Sequence, residues 1–330
     1  MRAIVASEIH REWSLTEVPD PRPGPGQVVI RIRYSGMCGT DVHVHRGQFP
    51  IEFPIVAGHE PTGEIVEVGP GVTDLKVGDR VGVFWYQKGC GRCTSCQSGA
   101  TCPNSQTWMN LGGGNSELML AWASGCALIP DGLALDAAAP LFCAGYTVMS
   151  ALRNASPAPG ERVAVLGVGG LGHLAVQVAH ALGLETFALT GQADKRAELL
   201  ALGADEVVVT GDDPGKALHD AGGADIVLST TSSAKQIASV FHTLRPRGRL
   251  VTTGLADGPV SLDSLAAILG FREFRGVVPD RRAPLAEILE LAAKGKVKPR
   301  LEIYPLERAN EARDRLEAGK VRYRAVLAHA

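Results

Sequence analysis

At 330 residues the chain is longer than one hydrophobic core usually supports, so two domains are expected. A net charge of −2 gives no reason to expect nucleic acid or an anionic membrane as partner. Residues Met1 to Ile9 lack a secretory signal pattern, and no apolar run reaches the roughly 18 residues of a spanning helix, so a cytoplasmic location is expected.

Taken in order, the first part of the chain reads as β-rich. Ala3-Ile4-Val5, Val28 to Arg33 and Thr62 to Val68 are β-branched runs with partial alternation, separated by the proline- and glycine-rich connector from Pro19 to Gly26. Lys76-Val77-Gly78-Asp79 predicts a turn feeding a strand at Arg80 to Val83. An antiparallel, barrel-like domain follows from this pattern.

From about Leu141 the texture changes to strands alternating with helices, which predicts a parallel α/β sheet. The strands are expected at Arg162 to Leu166, Glu185 to Leu189, Glu206 to Val209, Asp225 to Ser229, Arg249 to Thr253 and Phe271 to Val278. A helix from Pro284 to Gly295, a strand over 298–304, a helix from Leu306 to Ala318 and a last strand at Arg324 to Leu327 complete the reading. The expected division is 1–145, with 280–330 returning to it, and 146–279.

Within the second part, strand Val163-Ala164-Val165-Leu166 runs into Gly167-Val168-Gly169-Gly170-Leu171-Gly172, followed at once by Leu174, Ala175, Val178, Ala179 and Leu182 at helical spacing. Gly167 permits a tight turn, Gly169 a close approach of a pyrophosphate, and Gly172 close packing of helix on strand. Gly170 and Leu171 complete the turn, and the helix N-terminus offers free N–H groups to phosphate oxygens. The second strand ends Ala188-Leu189-Thr190-Gly191-Gln192 with no carboxylate before Asp194, while Lys195 and Arg196 follow. That favours NADP(H) over NAD(H), with Thr190, Gly191, Lys195 and Arg196 near the 2′-phosphate. The alternative leaves Lys195 and Arg196 as solvated residues of the next helix.

Chemistry-bearing residues concentrate in two places. Cys38-Gly39-Thr40-Asp41-Val42-His43 puts a thiol, a hydroxyl, a carboxylate and an imidazole within one or two turns of backbone. Cys90, Cys93, Cys96 and Cys102 crowd into thirteen residues, which suits a closed structural zinc site; disulfides are the alternative, disfavoured by the expected compartment.

The cysteine loop, Gly58-His59-Glu60, Gly78-Asp79-Arg80-Val81-Gly82, Phe142-Cys143-Ala144-Gly145-Tyr146-Thr147 and the glycine motif stand in one order. In that order the chain resembles the zinc-dependent medium-chain alcohol dehydrogenases over nearly its whole length, and most of all their bacterial members. The resemblance implies an α/β protein: a GroES-like β-rich catalytic domain, then a Rossmann domain with a doubly wound parallel sheet. It implies reversible hydride transfer between an alcohol and a nicotinamide cofactor, with zinc as Lewis acid.

Carried over residue by residue, Cys38, His59 and Cys143 would hold a catalytic zinc, Glu60 would approach it, and Asp41 would orient His59. Thr40 and His43 would be the protein ends of a proton relay that passes through the cofactor ribose. Thr147 would pack on the nicotinamide, Arg324 would meet the pyrophosphate, and Cys90, Cys93, Cys96 and Cys102 would hold a second zinc. Trp85 and Trp108 stand where pocket walls often lie. The partner is a small alcohol, aldehyde or ketone, and the family's dimers or tetramers join through the sheet edge, here Phe271 to Val278.

Two departures stand out. Five residues separate Cys96 from Cys102, where the family usually has seven, and the acid after the second strand is missing. A zinc-free quinone or enoyl reductase of the same superfamily is the nearest rival, disfavoured by Cys38, His59 and Cys143 together. A polyol-type zinc enzyme usually has glutamate near the position of Cys143. A non-enzymatic binding protein on this fold would be expected to lose part of the metal set or the relay.

Overall fold

The computed structural model describes residues 1–49, 51–279 and 282–329. It divides into two units, Met1–Ala144 with Pro299–Ala330, and Gly145–Lys298.

The first unit is built on a long strand, β1 (Gln27–Met37), which pairs antiparallel with β2 (Glu60–Val68). Beyond β2 come β3 (Arg80–Val83) and then β5 (Cys126–Leu128), while β4 (Leu118–Trp122) pairs with the first half of β1. Strand side chains alternate between faces. Val28, Ile30 and Ile32 of β1 therefore meet Ile65, Val81, Val83, Met119 and Ala121 in one buried core with Trp13 and Trp108. Each of the valine, isoleucine and methionine side chains contributes about 1.5–3 kcal/mol on burial. A hairpin of Arg2–Ala6 and Ser14–Glu17 adds a small second sheet with Ile55–Val56. At the end of β1 the chain turns into a short helix, α1 (Gly39–His45).

Helix α2 (Ala144–Ala155) leads into the second unit, whose six strands are all parallel. They are β6 (Arg162–Leu166), β7 (Glu185–Thr190), β8 (Glu206–Val209), β9 (Ala224–Ser229), β10 (Leu244–Thr252) and β11 (Glu273–Gly276). Their spatial order is β8-β7-β6-β9-β10-β11. The winding reverses between β6 and β9, and a crevice beyond the carboxyl ends of the strands at such a switch point is where open α/β sheets bind ligands. The glycine-rich turn leaves β6 there and enters α3 (Gly172–Ala181), every residue of which from Gly172 to Ala179 is buried.

The division differs from the sequence expectation at its second boundary. Residue 280, where the return was placed, lies outside the described residues. The helix that follows, α4 (Ala283–Ala293), belongs to the second unit and buries Leu285, Ile288, Leu289 and Ala292. Lys298 is tied to α3, its N–H donating to Gln177 Oε1 at 2.8 Å and its carbonyl accepting from Gln177 Nε2 at 3.2 Å. The return therefore begins at Pro299.

The expected edge strand is also shorter. Phe271 takes a left-handed conformation, φ 50°, at the end of helix Ser264–Gly270, so β11 starts only at Glu273. In the first unit, the returning β12 (Leu301–Pro305) runs parallel to β13 (Arg324–Ala328), which is antiparallel to the second half of β1. No single helix among the described residues is long and apolar enough to cross a membrane.

Candidate active site

Cys38 lies where β1 gives way to α1, and it caps that helix. Its Sγ accepts from the Thr40 N–H at 3.3 Å, while its own N–H donates to Asp41 Oδ2 at 2.9 Å. This is a capping box with a thiol in the usual hydroxyl position. His59 follows Gly58, whose φ of +94° sets the turn; a Cβ there would stand 2.2 Å from Asn115 Oδ1. Cys143 follows Phe142, whose ring occupies space left by Gly82: a Cβ on Gly82 would lie 2.2 Å from it.

These turns bring together residues spread over more than a hundred positions. Cys38 Sγ is 3.1 Å from His59 Nε2 and 3.9 Å from Cys143 Sγ. The ligand atoms of Cys38, His59, Glu60 and Cys143 all lie within 4.8 Å of one another. The chemistry of the set, two thiols with an imidazole and a carboxylate, fits zinc. Asp41 Oδ1 stands 3.5 Å from His59 Nδ1, close enough for attraction but outside hydrogen-bond geometry.

The electrostatics are those of a tightly coupled cluster. Cys38 is held well below the ordinary thiol range by the Cys143 thiol donating to it and by the His59 imidazole, against burial. Cys143, the donor, is pushed up by that bond and by burial. His59 loses by burial but is raised overall by Cys38 and Asp41. Burial pushes Glu60 up to about 7, against the pull of Arg324. Arg324 is in turn pushed up by Glu60 and Cys38, against its own burial. Arg324 and Glu60 form a buried ion pair in which one nitrogen, Nη2, lies 2.5 and 2.7 Å from the two Glu60 oxygens. Arg324, the residue expected on a pyrophosphate, is 1% exposed and gives Nη2 to Glu60, while its buried Nε has no hydrogen-bond partner among the described residues.

Aromatic rings enclose the cluster. Trp108 stacks on His59 at 6.0 Å between centroids, and Trp85 meets His59 edge-on at 5.4 Å. Phe49, which the sequence reading did not single out, joins Trp85 to His43 at 6.1 and 6.4 Å. Gly36 was also missed: a Cβ there would lie 2.0 Å from Glu60 Oε2. Its signal was a glycine inside a β-branched strand two residues before Cys38.

The four-cysteine lobe closes despite its short gap. Cys90 Sγ lies 4.0 Å from Cys96 Sγ, Cys93 Sγ lies 3.8 Å from Cys102 Sγ, and all four are within 4.8 Å of one another. The backbone N–H groups of Arg92 and Cys93 pull Cys90 down to about 6. This donor set also fits zinc.

In the second unit Gly167 has φ +85°, and a Cβ on Gly172 would stand 2.1 Å from the Gly167 carbonyl, so turn and packing both require glycine. Cβ atoms on Gly169 and Gly191 would meet nothing, leaving space that suits an approaching phosphate or ribose. Lys195 reaches this loop, its Nζ 3.1 Å from the Val168 carbonyl. Arg196 does not: its Nη1 donates to the Val207 carbonyl at 2.8 Å, which fixes it on β8. Thr190 Oγ1 accepts from the Gln192 N–H at 3.1 Å. Gly170 and Leu171 lie on the same turn, and Thr147 is buried one turn into α2.

Residues 24–131 match the model of the alcohol dehydrogenase GroES-like domain, and 170–294 that of the zinc-binding dehydrogenases. An alcohol dehydrogenase of Geobacillus stearothermophilus is 38% identical over 99% of both chains. An NADP-dependent alcohol dehydrogenase of Mycolicibacterium smegmatis is 35% identical, covering 98% of this chain and 97% of its own. The solved alcohol dehydrogenase of Aeropyrum pernix superposes with a TM-score of 0.92 at 31% identity, over 99% of this chain and 100% of its own.

Proposed function

The chain belongs to the zinc-type medium-chain alcohol dehydrogenase family, whose members interconvert alcohols and carbonyls, and on that premise we propose a zinc- and nicotinamide-dependent mechanism. The observation that carries it is the meeting of Cys38, His59 and Cys143 within 4.8 Å, beside a carboxylate already engaged by Arg324.

These three would hold the metal, with Glu60 in reserve; a bound zinc would supply Lewis acidity at the substrate oxygen. Asp41 orients His59 by attraction at Nδ1. Thr40 takes the alcohol proton through its hydroxyl, and His43 passes it on to solvent. Trp85 and Phe49, with Trp108 buried among them, present apolar surface that suits a hydrophobic alcohol, aldehyde or ketone and keeps water from the reacting centre. In the second unit Gly167, Gly169, Gly170, Leu171 and Gly172 cradle the dinucleotide pyrophosphate, Thr147 packs on the nicotinamide, and the cofactor supplies hydride transfer. NADP(H) is favoured over NAD(H) because Gly191 leaves open space and Lys195 stands at the loop, with no acid at the end of β7 before Asp194. Arg196, held on Val207, contributes less than the sequence suggested. Cys90, Cys93, Cys96 and Cys102 would hold a second, structural zinc.

We also place the enzyme in the cytoplasm, where free thiol clusters persist. It pairs into a homodimer or larger homo-oligomer through β11, near which Ile268, Leu269, Phe271, Phe274 and Val278 are exposed.

The test is metal analysis combined with a panel of primary alcohols, secondary alcohols and aldehydes, each with both cofactors. Two zinc ions per chain are expected, and Cys38→Ser should lose one of them together with alcohol oxidation. Activity in a zinc-free preparation would instead support a zinc-free reductase. A strong preference for NADH would overturn the NADP(H) assignment. Sedimentation of Phe274→Lys as a monomer would support the β11 interface.

A further inference from the structure

His43 and Gln48 are held together by the way α1 ends. The Gln48 N–H donates to the His43 carbonyl at 2.9 Å, and the Gly47 N–H to the Val44 carbonyl at 3.0 Å. This pair of bonds is a Schellman C-cap, which places the second residue past the helix beside the residue that opens its last turn. Gly47 permits it with φ +68°; a Cβ there would both strain the backbone and stand 2.8 Å from Ile9 Cγ2. The cap thus delivers the Gln48 side chain to the His43 ring, with Oε1 2.6 Å from Nδ1.

An amide oxygen only accepts, so Nδ1 must carry the proton in this contact and Nε2 is left with its lone pair. An unrestrained neutral imidazole divides between two tautomers, of which only this one has a free acceptor at Nε2. Charged neighbours on α1 are directed elsewhere. Asp41 accepts from the Cys38 N–H and faces His59, His45 lies against Arg313, and Arg46 pairs with Glu317. Phe49 contributes only an apolar ring.

We propose that Gln48 is a positioning residue that fixes His43 as the Nδ1–H tautomer, so that Nε2 is the atom that accepts the relay proton. The inference rests on the relay reading of His43. In the step, Nε2 gains the proton coming from the alcohol, the ring becomes an imidazolium with Nδ1–H still on Gln48 Oε1, and the proton then leaves Nε2 for solvent water.

The test compares Gln48→Met, which keeps length but cannot accept, with Gln48→Glu, which accepts and adds charge, in the full-length enzyme. Gln48→Met is expected to lower kcat/KM for the alcohol about three- to tenfold near neutral pH, as loss of one hydrogen bond implies. Gln48→Glu should keep the rate at high pH and move the acidic limb of the pH profile upward by about one unit, since a carboxylate beside an imidazole favours its cation. That shift should vanish in Gln48→Glu/His43→Ala.

Independently of turnover, 15N-histidine spectra should show His43, identified by its loss in His43→Ala, with a protonated Nδ1 and a bare Nε2; in Gln48→Met both tautomers should appear. Unchanged profiles and an unchanged tautomer in both Gln48 variants, with His43→Ala slow, would overturn the role of Gln48 alone. A His43→Ala enzyme with wild-type rates at every pH would overturn the relay itself and the inference with it.

Discussion

Glu60 and Arg324 are 264 residues apart, yet both oxygens of the one accept from Nη2 of the other, and neither side chain meets solvent. Removing one partner strands a buried charge, which costs about 3–5 kcal/mol, whereas removing both need not. Glu60→Leu and Arg324→Met are each expected to lower the urea midpoint sharply, and the double variant less than their sum. Strict additivity would show that the two do not act as a pair. Gly36→Ala should resemble Glu60→Leu, because its Cβ would take the place of Oε2.

His329 gives a pH dependence of stability. Burial holds it at about 4, below the ordinary value of 6.5, so the unfolded chain takes up a proton before the folded one does. Its contribution is complete above pH 6.5 and is lost as pH falls towards 4, by up to about 3 kcal/mol. His329→Leu should flatten the difference in urea midpoint between pH 7.5 and pH 5. An unchanged difference would mean that other groups set it.

Between Gly89 and Ser105 only Cys102 is buried, so this lobe has no apolar core of its own. Cys96→Ser, or mild chelation, is expected to remove one zinc ion and to open protease sites in this segment while the rest of the chain resists. Resistance equal to wild type in metal-free protein would show that the lobe is ordered without metal.

Thr190 ends β7, where an acid would bond the free ribose 2′-hydroxyl and repel a 2′-phosphate. Thr190→Asp should lower kcat/KM with NADPH at least tenfold and spare that with NADH. Equal loss with both cofactors would place the effect in folding rather than recognition.

Much of the site was legible because its chemistry is carried by short local motifs. Cys38 with Thr40 and His43, Gly58-His59-Glu60, and Phe142-Cys143 each announce themselves, and the fold brings the three expected zinc ligands to one place. What stayed hidden depends on long-range geometry. The contact of Arg324 with Glu60 has no signal in the sequence, because it is made across β1, which lies between β13 and β2. Arg196 follows a strand end like a phosphate ligand, yet the Val207 carbonyl claims it. Gln48 carries no motif at all, since its value comes from the cap geometry at Gly47. The division falls at Lys298 rather than at 280 because α4 packs with the second unit and Gln177 holds Lys298 to α3, contacts between residues far apart in the chain.

The position of β13 has a consequence for how the protein is made. It lies between β1 and β12 in the first unit's sheet, and it brings Arg324 to a cluster that begins at Cys38. The second unit is contiguous from Gly145 to Lys298 and has all its strands once that stretch has emerged from the ribosome. The first unit, although most of its chain is synthesised first, lacks the strand that joins β12 to β1 until residue 328 is free. The second unit is therefore the one equipped to fold during translation, and the ion pair of Arg324 with Glu60, beside Cys38, His59 and Cys143, is assembled last.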